Sequence, residues 1–257
     1  MFVTKYFHLF SICCLTVAQH ATNNEDFSFV ASLKRKSHFS NFHHFCTGSI
    51  LGRRWILTAA HCFENIQGKP LDFFAVDVGS HYLSTGTRYP IANAFVHPEF
   101  VQSPQIYKND LALVQLERPI ADSPGVRAVE LGTIRDWLEV PVVGVGWGRL
   151  SYNSGSVPEK RRVVNMTTIK YESCQAKHAQ RQNLVDREMH ICGVGTEGNT
   201  LCFGYSGAPL VDPYTGRQVA VFSTMEDCTP EYPFLFVRIE LYIDWIRDIT
   251  GLKLVLN

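Results

Sequence analysis

The run Leu201-Cys202-Phe203-Gly204-Tyr205-Ser206-Gly207-Ala208-Pro209-Leu210 organises the reading of this chain. A serine stands between two glycines, Gly204 and Gly207. Glycine lets a backbone turn sharply and brings bare N–H groups close to a bound molecule. Cys202 can fasten the loop to another strand. By itself Gly-x-Ser-Gly also suits a flexible turn, so its meaning depends on the rest of the chain.

Two distant residues supply that context. His61 ends an apolar, strand-like run and precedes Cys62, and Asp110 opens another strand. Each has a plain structural use, a histidine beside a cysteine or an aspartate at a turn. Together with Ser206 they form a set that acyl-transfer chemistry requires. A hydroxyl is a weak nucleophile until an imidazole takes its proton, and a carboxylate must hold that imidazole in one tautomer. The oxyanion that forms on the substrate needs preset N–H donors, and the amides of Gly204 and Ser206 stand in place for it.

The chain has 257 residues, 46% of them hydrophobic, which suffices for a large core. Its formal net charge is zero, so nothing points to nucleic acid or to an anionic membrane surface. Residues 1–18 read as a secretory signal: Lys5, then an apolar run from Phe7 to Ala18, ending in small residues. That run is too short to span a bilayer, so no membrane anchor is expected. Six cysteines remain beyond it: Cys46, Cys62, Cys174, Cys192, Cys202 and Cys228. An even count in a secreted chain suggests three disulfides, with the pairing open. No Cys-x-x-Cys or His-Glu-x-x-His occurs, so neither metal nor other cofactor is expected.

Residues 27–33, 44–51, 54–62, 74–78, 109–116, 140–145, 162–169, 218–224 and 234–239 read as short strands. Lys34-Arg35-Lys36 reads as a solvated basic turn. The polar stretch from Glu117 to Gly125, with two prolines, divides the chain. Only the end reads as helix, with Leu241, Trp245, Ile246 and Ile249 on one apolar face. Many short strands and one terminal helix indicate an all-β barrel or sandwich. Asn165-Met166-Thr167 is a glycosylation acceptor sequence at Asn165.

The chain resembles the chymotrypsin-like (trypsin-like, S1 family) serine proteases. The resemblance rests on Leu57-Thr58-Ala59-Ala60-His61-Cys62, Asp110-Leu111-Ala112-Leu113, Gly146-Trp147-Gly148, the Ser206 loop and Tyr242-Ile243-Asp244-Trp245-Ile246. It implies two six-stranded antiparallel Greek-key barrels with a C-terminal helix. Residues 19–257 would form this unit: first barrel 27–120, second barrel 121–240, helix 240–250. It implies a catalytic His61, Asp110 and Ser206, an oxyanion hole from Gly204 and Ser206, and Ser223 as support for the aspartate. It also implies disulfides Cys46–Cys62, Cys174–Cys192 and Cys202–Cys228, and a secreted monomer acting on a peptide or protein.

Four departures accompany the match. Tyr205 stands where the family has an aspartate before the nucleophile. No Ile-Val-Gly-Gly start precedes Phe27. In the family the freed terminal amine pairs with that aspartate and shapes the oxyanion loop; losing one partner alone would strand a buried charge at about 3–5 kcal/mol. Met225 and Phe234 occupy positions where relatives keep pocket glycines, and Thr200 stands at the pocket floor. Ala208 replaces a glycine. Two functions follow as expectations. The first is a weakly active or inactive homologue that binds a protease or inhibitor. The second is an active endopeptidase of narrow, small-residue specificity that needs no zymogen cleavage. Polyanion binding through Lys34-Arg35-Lys36, Arg53-Arg54 and Lys160-Arg161-Arg162 is a third, lesser expectation.

Overall fold

The structure is a computed structural model that describes residues 27–37, 41–64, 70–103, 106–134, 137–179 and 184–256. The expected signal segment lies outside the described residues.

Eight strands belong to the first half: β1 (Val30–Lys36), β2 (Phe42–Gly52), β3 (Trp55–Thr58), β4 (Phe74–Val78), β5 (Thr87–Val96), β6 (Val101–Ser103), β7 (Ile106–Lys108) and β8 (Ala112–Leu116). Six of them close a barrel in the order β1-β2-β3-β8-β5-β4, and β6 and β7 form a separate ribbon. The second half holds β9 (Pro141–Gly146), β10 (Arg162–Ile169), α1 (Tyr171–Lys177), β11 (His190–Gly195), β12 (Pro209–Val211), β13 (Gln218–Met225), β14 (Phe234–Arg238) and α2 (Ile243–Thr250). Its six strands close a second barrel in the order β10-β11-β14-β13-β12-β9. All the strand pairings are antiparallel. Closure pairs every edge of each sheet, the usual solution for short β-branched strands that cannot leave an edge bare.

Apolar side chains fill each interior. Phe29, Leu33, Ile56, Leu57, Val76 and Leu113 are fully buried in the first barrel, and Val164, Leu210, Ala220 and Phe236 in the second. Three disulfides join Cys46–Cys62, Cys174–Cys192 and Cys202–Cys228, the pairing that the resemblance implied. They span 16, 18 and 26 residues, and a loop of that size is restrained by about 3 kcal/mol when cross-linked.

The structure departs from the sequence reading in four places. Lys34-Arg35-Lys36 is no turn; it ends β1, and Lys34 is buried against Asp77. Arg161 is buried too, donating to the Phe27 carbonyl at 2.7 Å, so neither Lys34 nor Arg161 is exposed to a polyanion. β4 alternates in sequence, which predicts a half-buried strand, but it is buried throughout, because Arg88 and Lys34 neutralise Asp77. A second helix, α1, exists; one buried residue, Cys174, gives it no apolar stripe to read. Leu241 leaves the expected helical face and is 51% exposed. It lies in a 3-10 turn, Ile239–Tyr242, whose tighter winding shifts the register before α2 begins. Ile243 and Ile246 are the residues α2 buries, and Gly251, in the left-handed region at φ 68°, ends it.

Candidate active site

The site forms where the barrels meet. β3 ends at Thr58, and the chain then tightens into a 3-10 turn, Ala60–Cys62, that carries His61. The Cys46–Cys62 disulfide ties this turn to β2. Asp110 enters just before β8 and is wholly buried. Its predecessor Asn109 takes a left-handed conformation, φ 51°, which asparagine tolerates better than most residues. Asn109 is held there because its amide donates to Glu99 O at 2.8 Å and its carbonyl accepts from the Tyr242 hydroxyl at 2.9 Å. That clamp aims the Asp110 side chain.

Asp110 receives three hydrogen bonds. His61 Nδ1 donates to Oδ2 at 2.8 Å, the His61 backbone N–H donates to Oδ1 at 2.9 Å, and Ser223 Oγ donates to Oδ2 at 2.5 Å. Burial opposes the carboxylate's charge, but the His61 ring and these donors outweigh it and hold Asp110 below its ordinary pKa. Burial likewise opposes an imidazolium at His61. The charge of Asp110, its hydrogen bond and the more distant Glu64 together raise the His61 pKa above its ordinary value. With Nδ1 committed to Asp110, Nε2 is the nitrogen free to exchange a proton.

Ser206 lines the same cleft as His61. The cleft has a volume of about 390 Å³. Among the described residues the His61 ring hydrogen-bonds Asp110 and not Ser206 Oγ. Such contacts are often long before substrate closes them.

Two consecutive tight turns present Ser206. In the first, Tyr205 N–H donates to Cys202 O at 3.1 Å with Gly204 third, at φ 106°. In the second, Ala208 N–H donates to Tyr205 O at 2.7 Å with Gly207 third, at φ 82°. A positive φ at the third position is the type II arrangement, which selects glycine. Gly207 is doubly required, because a Cβ there would lie 2.1 Å from Thr58 Oγ1. Ala208 keeps a negative φ, so its replacement of a glycine carries no strain.

The type II form fixes the direction of the Phe203–Gly204 peptide. Phe203 O accepts from Arg149 N at 2.8 Å. Because a trans peptide sets its C=O and N–H on opposite sides, the Gly204 N–H points away from Arg149. The next carbonyl, Gly204 O, is held by His44 Nε2 at 3.0 Å and Thr47 Oγ1 at 3.0 Å. Thr47 N–H also donates to Ser206 O at 2.8 Å. The serine loop is therefore pinned from β2 and from the β9 exit.

Tyr205 completes the brace. It is fully buried, and its ring lies so close to Gly148 that a Cβ there would come within 2.0 Å of Tyr205 Cδ2. Burial pushes its phenol up to about 12, with the adjacent Arg162 guanidinium opposing. Among the described residues the hydroxyl finds no hydrogen bond of normal geometry, so this tyrosine serves as packing.

A family model described as Trypsin matches residues 16–246. The chain belongs to the trypsin family. A solved structure of neuropsin, described as a serine protease expressed in the limbic system of mouse brain, matches with a TM-score of 0.74. It is 23% identical and covers 90% of this chain and 97% of its own, a likeness of fold.

Three residues are expected at the specificity pocket: Thr200, Met225 and Phe234. Phe234 is fully buried, its ring edge-on to Phe222 at 6.2 Å. Thr200 is buried, and its hydroxyl donates to Leu201 O at 3.2 Å. Only Met225 of the three faces the cleft. Cys46, His61 and Cys62 lie close enough together to suggest a metal site, but both sulfurs are spent in a disulfide and offer no thiolate. Asn165 is exposed on β10. Sequence reasoning missed His44, Thr47 and Arg149, and also Arg35, Phe45, Phe74 and Tyr107 in the cleft wall. None belongs to a spaced motif.

Proposed function

We propose that this chain is a secreted serine endopeptidase whose oxyanion loop is held in working form by internal packing. In this reading Ser206 is the nucleophile, and His61 is general base and then acid. Asp110 orients the imidazole, with Ser223 supporting the carboxylate. The amides of Gly204 and Ser206 receive the oxyanion. The observation that carries the reading is the direction of the Phe203–Gly204 peptide, fixed by the 2.8 Å bond from Arg149 N to Phe203 O. Losing one oxyanion donor costs an acyl-transfer enzyme about 100- to 1,000-fold in rate, so this orientation decides between activity and inertness. Three disulfides in a trypsin-family fold agree with the extracellular setting in which such proteases work. Among the described residues no helix is long and apolar enough to cross a membrane.

A second reading is favoured by the buried Phe234 and the inward Thr200. Without a side pocket, ground-state binding of a substrate side chain is lost, and turnover is slow on any one peptide. The protein would then act chiefly by holding a peptide, inhibitor or protease in the cleft.

Fluorophosphonate labelling separates the two. Ser206 Oγ attacks phosphorus, fluoride departs, and the serine proton passes to His61. The expected result is one added phosphonyl group on the peptide containing Ser206, absent in Ser206→Ala. A folded chain that stays unlabelled at alkaline pH removes the hydrolase reading and leaves the binding one.

A further inference from the structure

Alternation along β1 sorts three consecutive cations by face. Lys34 Nζ donates to Leu83 O at 2.8 Å and lies 3.7 Å from Asp77. Lys36 lies 3.7 Å from Asp72. Arg35, between them, faces the other way and lines the catalytic cleft. It is exposed, sits across from Phe74 in the β1–β4 register, and carries its guanidinium 5.6 Å over the Phe45 ring. Among the described residues no carboxylate lies within ion-pair distance of it. Among the described residues the cleft wall includes no aspartate or glutamate; Glu64 acts on His61 from beyond it.

The two wings of the cleft thus differ in what they offer. Toward the second barrel, Phe234 is fully buried and Met225 lines the cleft. Toward the first, Phe45 and Phe74 make an apolar floor beside the Cys46–Cys62 disulfide, with the Arg35 fork at the rim. Phe45 and Phe74 hold their rings 5.9 Å apart. A guanidinium presents paired donors that match a carboxylate, and stacking on an aromatic ring leaves that fork free at its edge.

The geometry points to an acidic peptide as the occupant of this cleft, its Asp or Glu side chain meeting Arg35 and an apolar neighbour resting on Phe45 and Phe74. Selection would then rest on the first barrel rather than on a second-barrel side pocket. This rests on the cleft being a peptide site, as proposed above. Arg35 is exposed, so the preference is modest: pairing of the acidic peptide and repulsion of a lysine counterpart together give about three- to tenfold.

The test uses the full chain with Ser206→Ala, so that bound peptide stays intact. Fluorescein-tagged short peptides of Ala, Ser and Phe carry one Asp walked along their length, with a matching Lys set. Anisotropy titrations are expected to show tighter binding of the best Asp peptide than of its Lys twin, by about three- to tenfold, shrinking as salt is added. Arg35→Gln should abolish the preference and Arg35→Glu invert it, with thermal melts showing that each variant folds. Equal binding of the two sets, no binding of either, or a preference that survives Arg35→Gln overturns the inference. Fluorophosphonate labelling of the wild-type chain is run beside it. Labelling without acidic preference sinks this inference and leaves the hydrolase standing; acidic preference without labelling does the reverse.

Discussion

His44 Nε2 lies 3.0 Å from Gly204 O and 3.0 Å from Trp147 O, so one ring on β2 bonds both the serine loop and the strand exit behind it. Two carbonyls at Nε2 require the proton there, and Nδ1 then accepts from the Ser32 hydroxyl at 2.8 Å. His44→Ala leaves the Gly204 carbonyl with Thr47 alone. Phosphonylation of Ser206 is expected to slow by about ten- to a hundredfold, below the loss of a whole oxyanion donor. Stopped-flow or timed mass spectrometry checks this.

Tyr205 and Gly148 form a matched pair. Tyr205→Ala opens a cavity at a fully buried site and is expected to cost about 3–5 kcal/mol in chemical denaturation. Gly148→Ala forces a methyl to within 2.0 Å of the ring and is expected to cost about 1–3 kcal/mol. The double variant should cost clearly less than the sum, because the alanine methyl enters space the ring has left. Additive losses contradict the pairing.

In the proposed mechanism a neutral His61 imidazole is the base, and this sets the pH profile. The His61 pKa is raised, so labelling of Ser206 should fall on acidification with a midpoint above the ordinary histidine value of about 6.5. Asp110→Asn removes the charge that raises it, and the midpoint should drop while the rate falls by several orders of magnitude at neutral pH. A midpoint that stays put in Asp110→Asn contradicts the coupling.

Stability has its own pH signature. Burial first, with nearby Lys34 adding to it, depresses His44 to about 4, its carbonyl bonds and Asp77 opposing. Burial also depresses His190 to about 4, and Asp186 N–H donates to its Nδ1 at 3.0 Å. Between pH of about 6.5 and 4 the unfolded chain binds protons that the native chain refuses. Stability therefore falls as pH falls through that window, by up to ~1.4 kcal/mol per pH unit for each group. His61 works oppositely: its raised pKa favours the native state below the free value and loses that contribution as pH rises through the folded one. Thermal melts across pH 4 to 8 measure the balance, and a flat curve from 6.5 to 4 contradicts the burial of neutral His44 and His190.

Much of this was legible because glycine, histidine and cysteine carry strong local demands. The Gly204-Tyr205-Ser206-Gly207 run reads as a turn from composition, and both glycines do take positive φ. β4, β10 and β13 read from alternation and β-branched content. What escaped was produced by closure. β12 is three residues long, with too few positions for a period, and β5 opens on two exposed residues, Thr87 and Arg88, and carries Pro90. Arg35 looked like part of a basic turn because nothing local reveals that Lys34 and Lys36 find Asp77 and Asp72 on the opposite face. That Phe234 takes the place of a family glycine could be read from its position in the family pattern, and the structure buries it fully. The bracing of Gly204 by His44 could not, since 160 residues separate the two.

The preset oxyanion loop is tested most directly by a crystal structure of the chain phosphonylated at Ser206. The account expects the phosphoryl oxygen within hydrogen-bond reach of the Gly204 and Ser206 amides, with Arg149 N still on Phe203 O. A Phe203 carbonyl turned toward the phosphoryl oxygen, with Gly204 N–H facing away, would contradict it.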